Sequence, residues 1–109
     1  MILDKLNYTS IVIIDHEWFQ VLVNKIVKLV ASSVDDDITT FSFEGEILKV
    51  LCNNNTFVVS GLGKDWEQIA TVKTKSLDSL PKRILTEDVH IYISGNELTI
   101  GNINFKLEI

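Results

Sequence analysis

The chain has 109 residues, of which 46 % are hydrophobic, and it contains one proline and five glycines. That length and composition exclude a disordered or low-complexity protein and predict one folded domain over residues 1–109. A net charge of −5 also excludes simple attraction of the whole surface to nucleic acid or to an anionic membrane.

The first predicted elements are a strand and a long helix. Residues 8–14 include an apolar run that does not alternate with polar residues, which is typical of a strand covered on both faces. Asp15 is suited to cap a following helix, and Glu17 lies in its first turn, where negative charge suits the helix dipole. A helix over residues 16–33 would bury Phe19, Leu22, Val23, Ile26, Val27 and Val30, which recur at helical spacing. Its narrow polar stripe holds Glu17, Gln20, Asn24, Lys25 and Lys28.

The middle of the chain predicts three strands joined by tight turns. They cover residues 38–43, 47–52 and 56–60, and glycine and asparagine occupy the turns between them. The preceding turn contains three consecutive aspartates, Asp35–Asp37. Their spacing is not that of a calcium-binding EF-hand loop, so a solvated acidic turn is the favoured interpretation.

The segment after these strands, residues 61–66, contains a glycine-rich loop and a tryptophan, and each has a functional and a structural interpretation. Gly61-Leu62-Gly63-Lys64 looks like a phosphate-binding loop, but the first glycine of that motif is missing at the required spacing. Asp65 also stands where serine or threonine would bind magnesium, which excludes the motif. Trp66 is suited to anchor a partner, but a lid over a sheet edge is the favoured interpretation.

The closing stretch, residues 69–109, predicts a strand, a short helix and an antiparallel meander. Pro81 limits the helix, which is indicated by Leu77, Leu80 and Ile84 at helical spacing. The later strands alternate apolar and polar residues, as expected for one buried face. Their tight turns are predicted at Gly95-Asn96 and Gly101-Asn102.

The predicted fold class is α+β, with a mainly antiparallel sheet and two helices packed on one face. Hairpin connections disfavour the parallel sheets of nucleotide-binding folds.

Catalytic and metal-binding motifs are missing from the sequence. His16 and His90 have no cysteine or carboxylate at metal-ligand spacing, and no serine sits in a nucleophile elbow. Cys52 lies in an apolar strand, where a buried thiol is favoured over a reactive one. We therefore expect a protein that is not an enzyme, has no cofactor or metal, does not enter a membrane, and resides in the cytoplasm.

Basic charge is concentrated in the two predicted helical segments. Residues 72–85 contain four basic residues and one acidic residue, and residues 16–33 contain two lysines and one glutamate. The rest of the chain has four lysines and thirteen acidic residues. This distribution predicts basic helix faces on an otherwise acidic protein.

The element order resembles one domain of the bacterial DNA sliding clamp, the ring-shaped processivity subunit of the replicative polymerase. The likeness is carried by Ile11–Val30, by Glu46–Gly61 and above all by Val72–Leu107, whose Gly95-Asn96-Glu97-Leu98-Thr99-Ile100 and Phe105-Lys106-Leu107 look like closing strands of a clamp domain. Clamps join several such domains in one chain, and Pro81 is unusual for the second helix.

The resemblance implies a clamp-like fold whose helices face the DNA. By the same likeness, duplex DNA would be contacted at its phosphates by Lys25, Lys28, Lys73, Lys75, Lys82 and Arg83. A ring built from this single domain would require the chain to assemble with itself through sheet edges. Phosphate contacts of this kind weaken with salt and carry no sequence preference.

Two other interpretations remain open. In the simpler interpretation, the basic residues only form solvated faces of the helices. In the other, the acidic strands and loops bind a basic protein partner, as in a small immunity protein, antitoxin or chaperone. A secretion chaperone is the least favoured, because such chaperones commonly close with a helix and this chain is predicted to close with a strand.

Overall fold

A computed structural model describes residues 10–80 and 87–108 of the chain. In chain order its elements are β1 (Ile11–Ile14), α1 (His16–Ala31), β2 (Ile38–Glu44), β3 (Ile47–Cys52), β4 (Asn55–Ser60), β5 (Leu62–Gly63), β6 (Ala70–Lys73), the 3-10 helix η1 (Thr74–Ser79), β7 (Val89–Ser94), β8 (Glu97–Ile100) and β9 (Ile103–Lys106). Within these ranges, no helix is long and apolar enough to cross a membrane.

Helix α1 starts where the sequence predicts it and ends two residues earlier. The Asp15 side chain accepts a hydrogen bond from the backbone N–H of Glu17 at 2.8 Å, which satisfies one of the free donors at the helix start. One side of the helix is buried, through Phe19, Leu22, Val23, Ile26 and Val30. These are residues predicted from the helical spacing of apolar side chains.

The strands form two antiparallel sheets, so the α+β class is confirmed and the expected single sheet is wrong. One sheet has the order β4-β3-β2-β6, and the other has the order β5-β1-β7-β8-β9. Turn signals in a sequence identify neighbouring hairpin strands, but they carry no information on where the strand before each helix pairs. That pairing decides how many sheets form.

The two halves of the chain have the same element order and exchange their first strands. The first half contains β1, α1 and β2 to β4, and the second contains β6, η1 and β7 to β9. Strand β1 pairs with β7 of the second half, while β6 pairs with β2 of the first half. This exchange connects both sheets and brings α1 into contact with η1.

The sheets also meet where the chain passes from one to the other. Gly61 separates β4 from β5, and a Cβ at Gly63 would collide with the backbone carbonyl oxygen of Ile11 on the neighbouring β1. Close backbone approach therefore requires glycine at position 63. At the opposite side, the Glu108 backbone N–H donates to the Thr71 carbonyl oxygen at 2.7 Å, which links the end of β9 to β6.

A single hydrophobic core is shared by both sheets, α1 and η1. Its largest fully buried side chains include Phe19 of α1, Phe41 and Phe43 of β2, and Ile91 of β7. Cys52 is buried and unpaired, as predicted. Trp66 is partly buried against the core and packs on Phe43, with ring centroids 6.3 Å apart.

The predicted turns of the meander are present. Gly95 and Gly101 have φ angles of 61° and 65°, and they connect pairs in which Ser94 faces Glu97 and Ile100 faces Ile103. The second helix differs from the prediction, because η1 is a 3-10 helix that ends before Pro81. Leu77 and Leu80 are buried as expected, whereas Pro81 and Ile84 lie outside the described residues.

Candidate nucleic-acid interface

Apart from Ala31 at its end, the exposed residues of α1 form a continuous stripe of six. We call it the α1 stripe, and it comprises Glu17, Trp18, Val21, Asn24, Lys25 and Lys28. Residues spaced by three, four and seven positions lie on one face of a helix, so these side chains form one surface along the helix. Its charge changes along the axis, because Glu17 is in the first turn and Lys28 is in the last.

Lys25 and Lys28, two of the six predicted DNA-contacting residues, lie in the basic half of this stripe. Both are exposed. The Lys25 ammonium lies 5.7 Å from the centroid of the Phe57 ring on β4, a cation–π contact that holds the side chain at the edge of the stripe. Lys28 near the helix C-terminus also complements the negative end of the helix dipole.

Lys73 and Lys75 are in a different electrostatic setting, because acidic side chains surround them. Lys75 Nζ lies 3.0 Å from Asp35 Oδ1. Lys73 Nζ lies 3.9 Å from Asp36 Oδ1 and 3.8 Å from Glu108 Oε1. A hydrogen bond from Lys75, together with its positive charge, lowers the pKa of the Asp35 carboxyl below its ordinary value. The acidic turn therefore offsets the positive charge that the sequence assigns to this segment.

The remaining predicted contacts, Lys82 and Arg83, lie outside the described residues. Helix α1 packs against η1, which contains Lys75. A shallow cavity of about 260 Å³ marks this junction and is lined by Val30, Ala31, Ser33, Lys75 and Asp78. The structure thus places Lys25 and Lys28 on one helix and Lys75 beside its C-terminal end, whereas Lys73 lies between Asp36 and Glu108.

Trp18 and Val21 are exposed residues that the sequence interpretation missed. Trp18 is 57 % exposed and Val21 is 41 % exposed, and they line a cleft of about 390 Å³ with Asp15 and Glu17. An exposed tryptophan next to an exposed valine is unusual for a solvated helix face. The signal was present in the helical spacing, because Trp18 falls outside the apolar face defined by Phe19, Leu22 and Ile26.

A second group that the sequence did not reveal lies at the start of α1. Asp15, His16 and Asp88 bring their ligand-capable atoms within 4.8 Å of one another, and His16 Nδ1 lies 4.0 Å from Asp88 Oδ1. Asp88 is distant in sequence, so spacing around His16 gives no hint of it. Both carboxylates are exposed, and one oxygen of Asp15 already caps the helix. The group brings the start of α1 next to Asp88, the residue before β7.

The described sheets have four edge strands: β5 has only two residues, β6 already accepts a hydrogen bond from Glu108, and β4 and β9 offer edges for further pairing. Strand β4 is the last strand of its sheet on one side, and β9 is the last strand of the other sheet. Strand β9 spans four residues, and its C-terminal extension already contacts β6 through Glu108. Strand β4 spans six residues and presents the longer edge.

No protein-family profile matches the chain, and no curated protein or solved structure matches it. The resemblance to a clamp domain therefore stays a prediction.

Proposed function

We propose that the protein is a clamp-like protein without enzymatic activity that contacts duplex DNA, independently of sequence, through the basic half of the α1 stripe. The observation that carries this proposal is the position of Lys25 and Lys28. They are exposed one turn apart on the same helix, and no carboxylate of the described residues lies within ion-pair distance of either. Two ammonium groups without a carboxylate partner among the described residues suit phosphates of one DNA strand.

One copy offers only Lys25 and Lys28 as phosphate contacts, which favours an assembly of several copies. Each phosphate contact contributes a slope of about −0.9 to the dependence of log K on log salt, so two lysines give roughly −1.8 per copy. Affinity from two such contacts is weak at physiological salt. Linking several copies raises the effective concentration of each contact, and pairing of the β4 and β9 edges is the means that this fold offers.

The test is fluorescence anisotropy with a labelled 30-base-pair duplex over a range of low salt concentrations. We expect binding that falls as salt rises and does not change when the sequence of the duplex is scrambled. K25A/K28A should lose most of this binding. The matched control is K49A/K64A, which also removes two exposed lysines, neither of which lies on α1. Absence of salt-dependent binding at the lowest ionic strength would exclude the proposal.

A second candidate function is supported by the ion pairs of Lys73 and Lys75. Because Asp35, Asp36 and Glu108 pair with these lysines, the described residues on the η1 side carry little uncompensated positive charge. We therefore keep an acidic interaction protein with a basic protein partner as the alternative. Binding of one identified basic partner in a purified two-component assay, without measurable DNA affinity, would favour this alternative.

A further inference from the structure

We infer that the α1 stripe is a self-complementary surface on which a second copy of this chain docks, with the two α1 helices antiparallel. This inference does not rest on the proposed DNA contact. It concerns the whole stripe, including the exposed Trp18 and Val21, for which the DNA proposal offers no role.

The apolar part of the stripe gives the reason for a protein partner. Trp18 is 57 % exposed, Val21 is 41 % exposed, and both border the cleft of about 390 Å³ that also contains Asp15 and Glu17. Exposed tryptophan on a helix face is typical of interface centres, where burial of the ring supplies most of the stabilisation. Two carboxylates beside it select a partner that brings positive charge.

The chain itself carries the required positive charge at the opposite end of the same stripe. Glu17 and Lys28 are eleven residues apart, which is about three helical turns, so they lie almost in line along the helix. When a second α1 packs antiparallel about a two-fold axis midway between them, Glu17 of each copy lies level with the other copy's Lys28. One pair forms at each end of the contact, as an isologous interface requires.

The second pairing falls on the other side of the contact. Trp18 and Lys25 are seven residues apart, about two turns, and occupy the same edge of the stripe. The same two-fold operation brings Lys25 of one copy next to Trp18 of the other, where an ammonium or its aliphatic stem can cover the indole face. The contact of Lys25 with the Phe57 ring at 5.7 Å already holds this side chain at the edge of the stripe. Val21 lies near the centre, so its side chain is covered by the partner helix.

The contact area is that of one helix pair, so we expect a dimer that dissociates on dilution. One 16-residue helix face is smaller than a standard protein interface, which buries on the order of 800 Å² per partner. Because the same stripe holds Lys25 and Lys28, a second copy and DNA would exclude one another from it. Free protein at high concentration would then conceal these lysines.

Sedimentation velocity over a wide range of protein concentrations tests the inference, with charge-reversal variants at the two ends of the stripe. Wild-type protein should change from monomer to dimer as concentration rises. E17K and K28E should each weaken the dimer on the order of tenfold or more, because each places two like-charged pairs across the contact. E67K, an exposed charge reversal outside the stripe, is the matched control and should dimerise like wild type.

Mixing the two variants gives the decisive measurement. In a mixture of E17K and K28E, residue 17 of each copy faces a residue 28 of opposite charge on the other copy. A heterodimer should therefore form although neither variant dimerises alone. This rescue also shows that both variants are folded. A wild-type monomer at all concentrations, or a mixture that stays monomeric, would overturn the inference. A dimer that is equally stable in wild type, E17K and K28E would overturn it too, since that dimer would use another surface.

Discussion

Lys75 of η1 and Asp35 of the turn after α1 form an ion pair with Nζ and Oδ1 3.0 Å apart. The pair joins the segment that was predicted to be basic to the turn that was predicted to be acidic. It shows that positive charge counted along a sequence is not the charge available to a ligand, because folding can place a neutralising carboxylate beside each lysine.

The first prediction concerns the pKa of Asp35. The Lys75 hydrogen bond and charge hold this pKa below the ordinary value of 3.8, and the charge of Lys73 lowers it further. A carboxyl whose pKa is lower in the folded state stabilises that state above pH 3.8, and this contribution is lost as pH falls through the folded-state pKa. K75M should move the Asp35 pKa back towards its ordinary value in a carbon-detected NMR titration. K25M serves as the control and should leave it unchanged.

The second prediction compares the two lysine pairs in DNA binding. K73A/K75A should reduce affinity for duplex DNA less than K25A/K28A does, because Lys73 and Lys75 already contact carboxylates. D35N removes the partner of Lys75 and should strengthen binding at low salt. The anisotropy assay with the labelled duplex measures all three variants. Equal losses for the two double variants would contradict the order that the ion pairs predict.

The third prediction concerns a buried hydroxyl pair in the core. Thr39 Oγ1 of β2 lies 2.8 Å from Thr74 Oγ1 of η1, and both residues are fully buried. T74V leaves the Thr39 hydroxyl without this partner and should lower the free energy of unfolding by about 1 to 3 kcal/mol. T39V/T74V should recover part of that loss, because no hydroxyl of the pair then remains unpaired. Urea denaturation of the single and double variants measures the coupling, and strictly additive losses would contradict it.

The fourth prediction concerns the close approach of two strands at Gly63. A Cβ at this position would collide with the carbonyl oxygen of Ile11, which is backbone and cannot rotate away. G63A should therefore lower the free energy of unfolding by about 1 to 3 kcal/mol. G95N is the control, because Gly95 has a φ angle of 61° with open space around it and asparagine tolerates that conformation. Thermal unfolding of both variants shows whether the loss of stability comes from the steric clash at position 63, since G95N introduces no such clash.

Much of the fold could be predicted from local signals in the sequence. Helix α1 follows from the spacing of Phe19, Leu22 and Ile26 and from the capping residue Asp15, all of which act within a few residues. The hairpins of β7 to β9 follow from their glycine and asparagine turns. The division into two sheets could not be predicted, because β1 and β6 each pair with a strand of the other half.

The candidate site was predictable only in part, for the same reason. Helical spacing identifies Lys25 and Lys28 as neighbours on one exposed face. The pairing of Lys75 with Asp35 and the approach of Asp88 to His16 depend on how distant segments meet, and no spacing rule contains that information. Trp18 was visible in the sequence as a residue outside the apolar face, although the sequence could not reveal the cleft beside it.

The exchange of first strands has a consequence for the order in which the protein folds. Strands β2, β3 and β4 are joined by short turns, so their sheet can begin to form from contacts that are close in the chain. Strand β1 pairs with β7, where Ile14 faces Val89, so this ladder must close a loop that spans most of the polypeptide. High contact order slows such a step. On the ribosome, β1 would leave the exit tunnel before β7 and could pair with it only after the residues between the two strands had also been made.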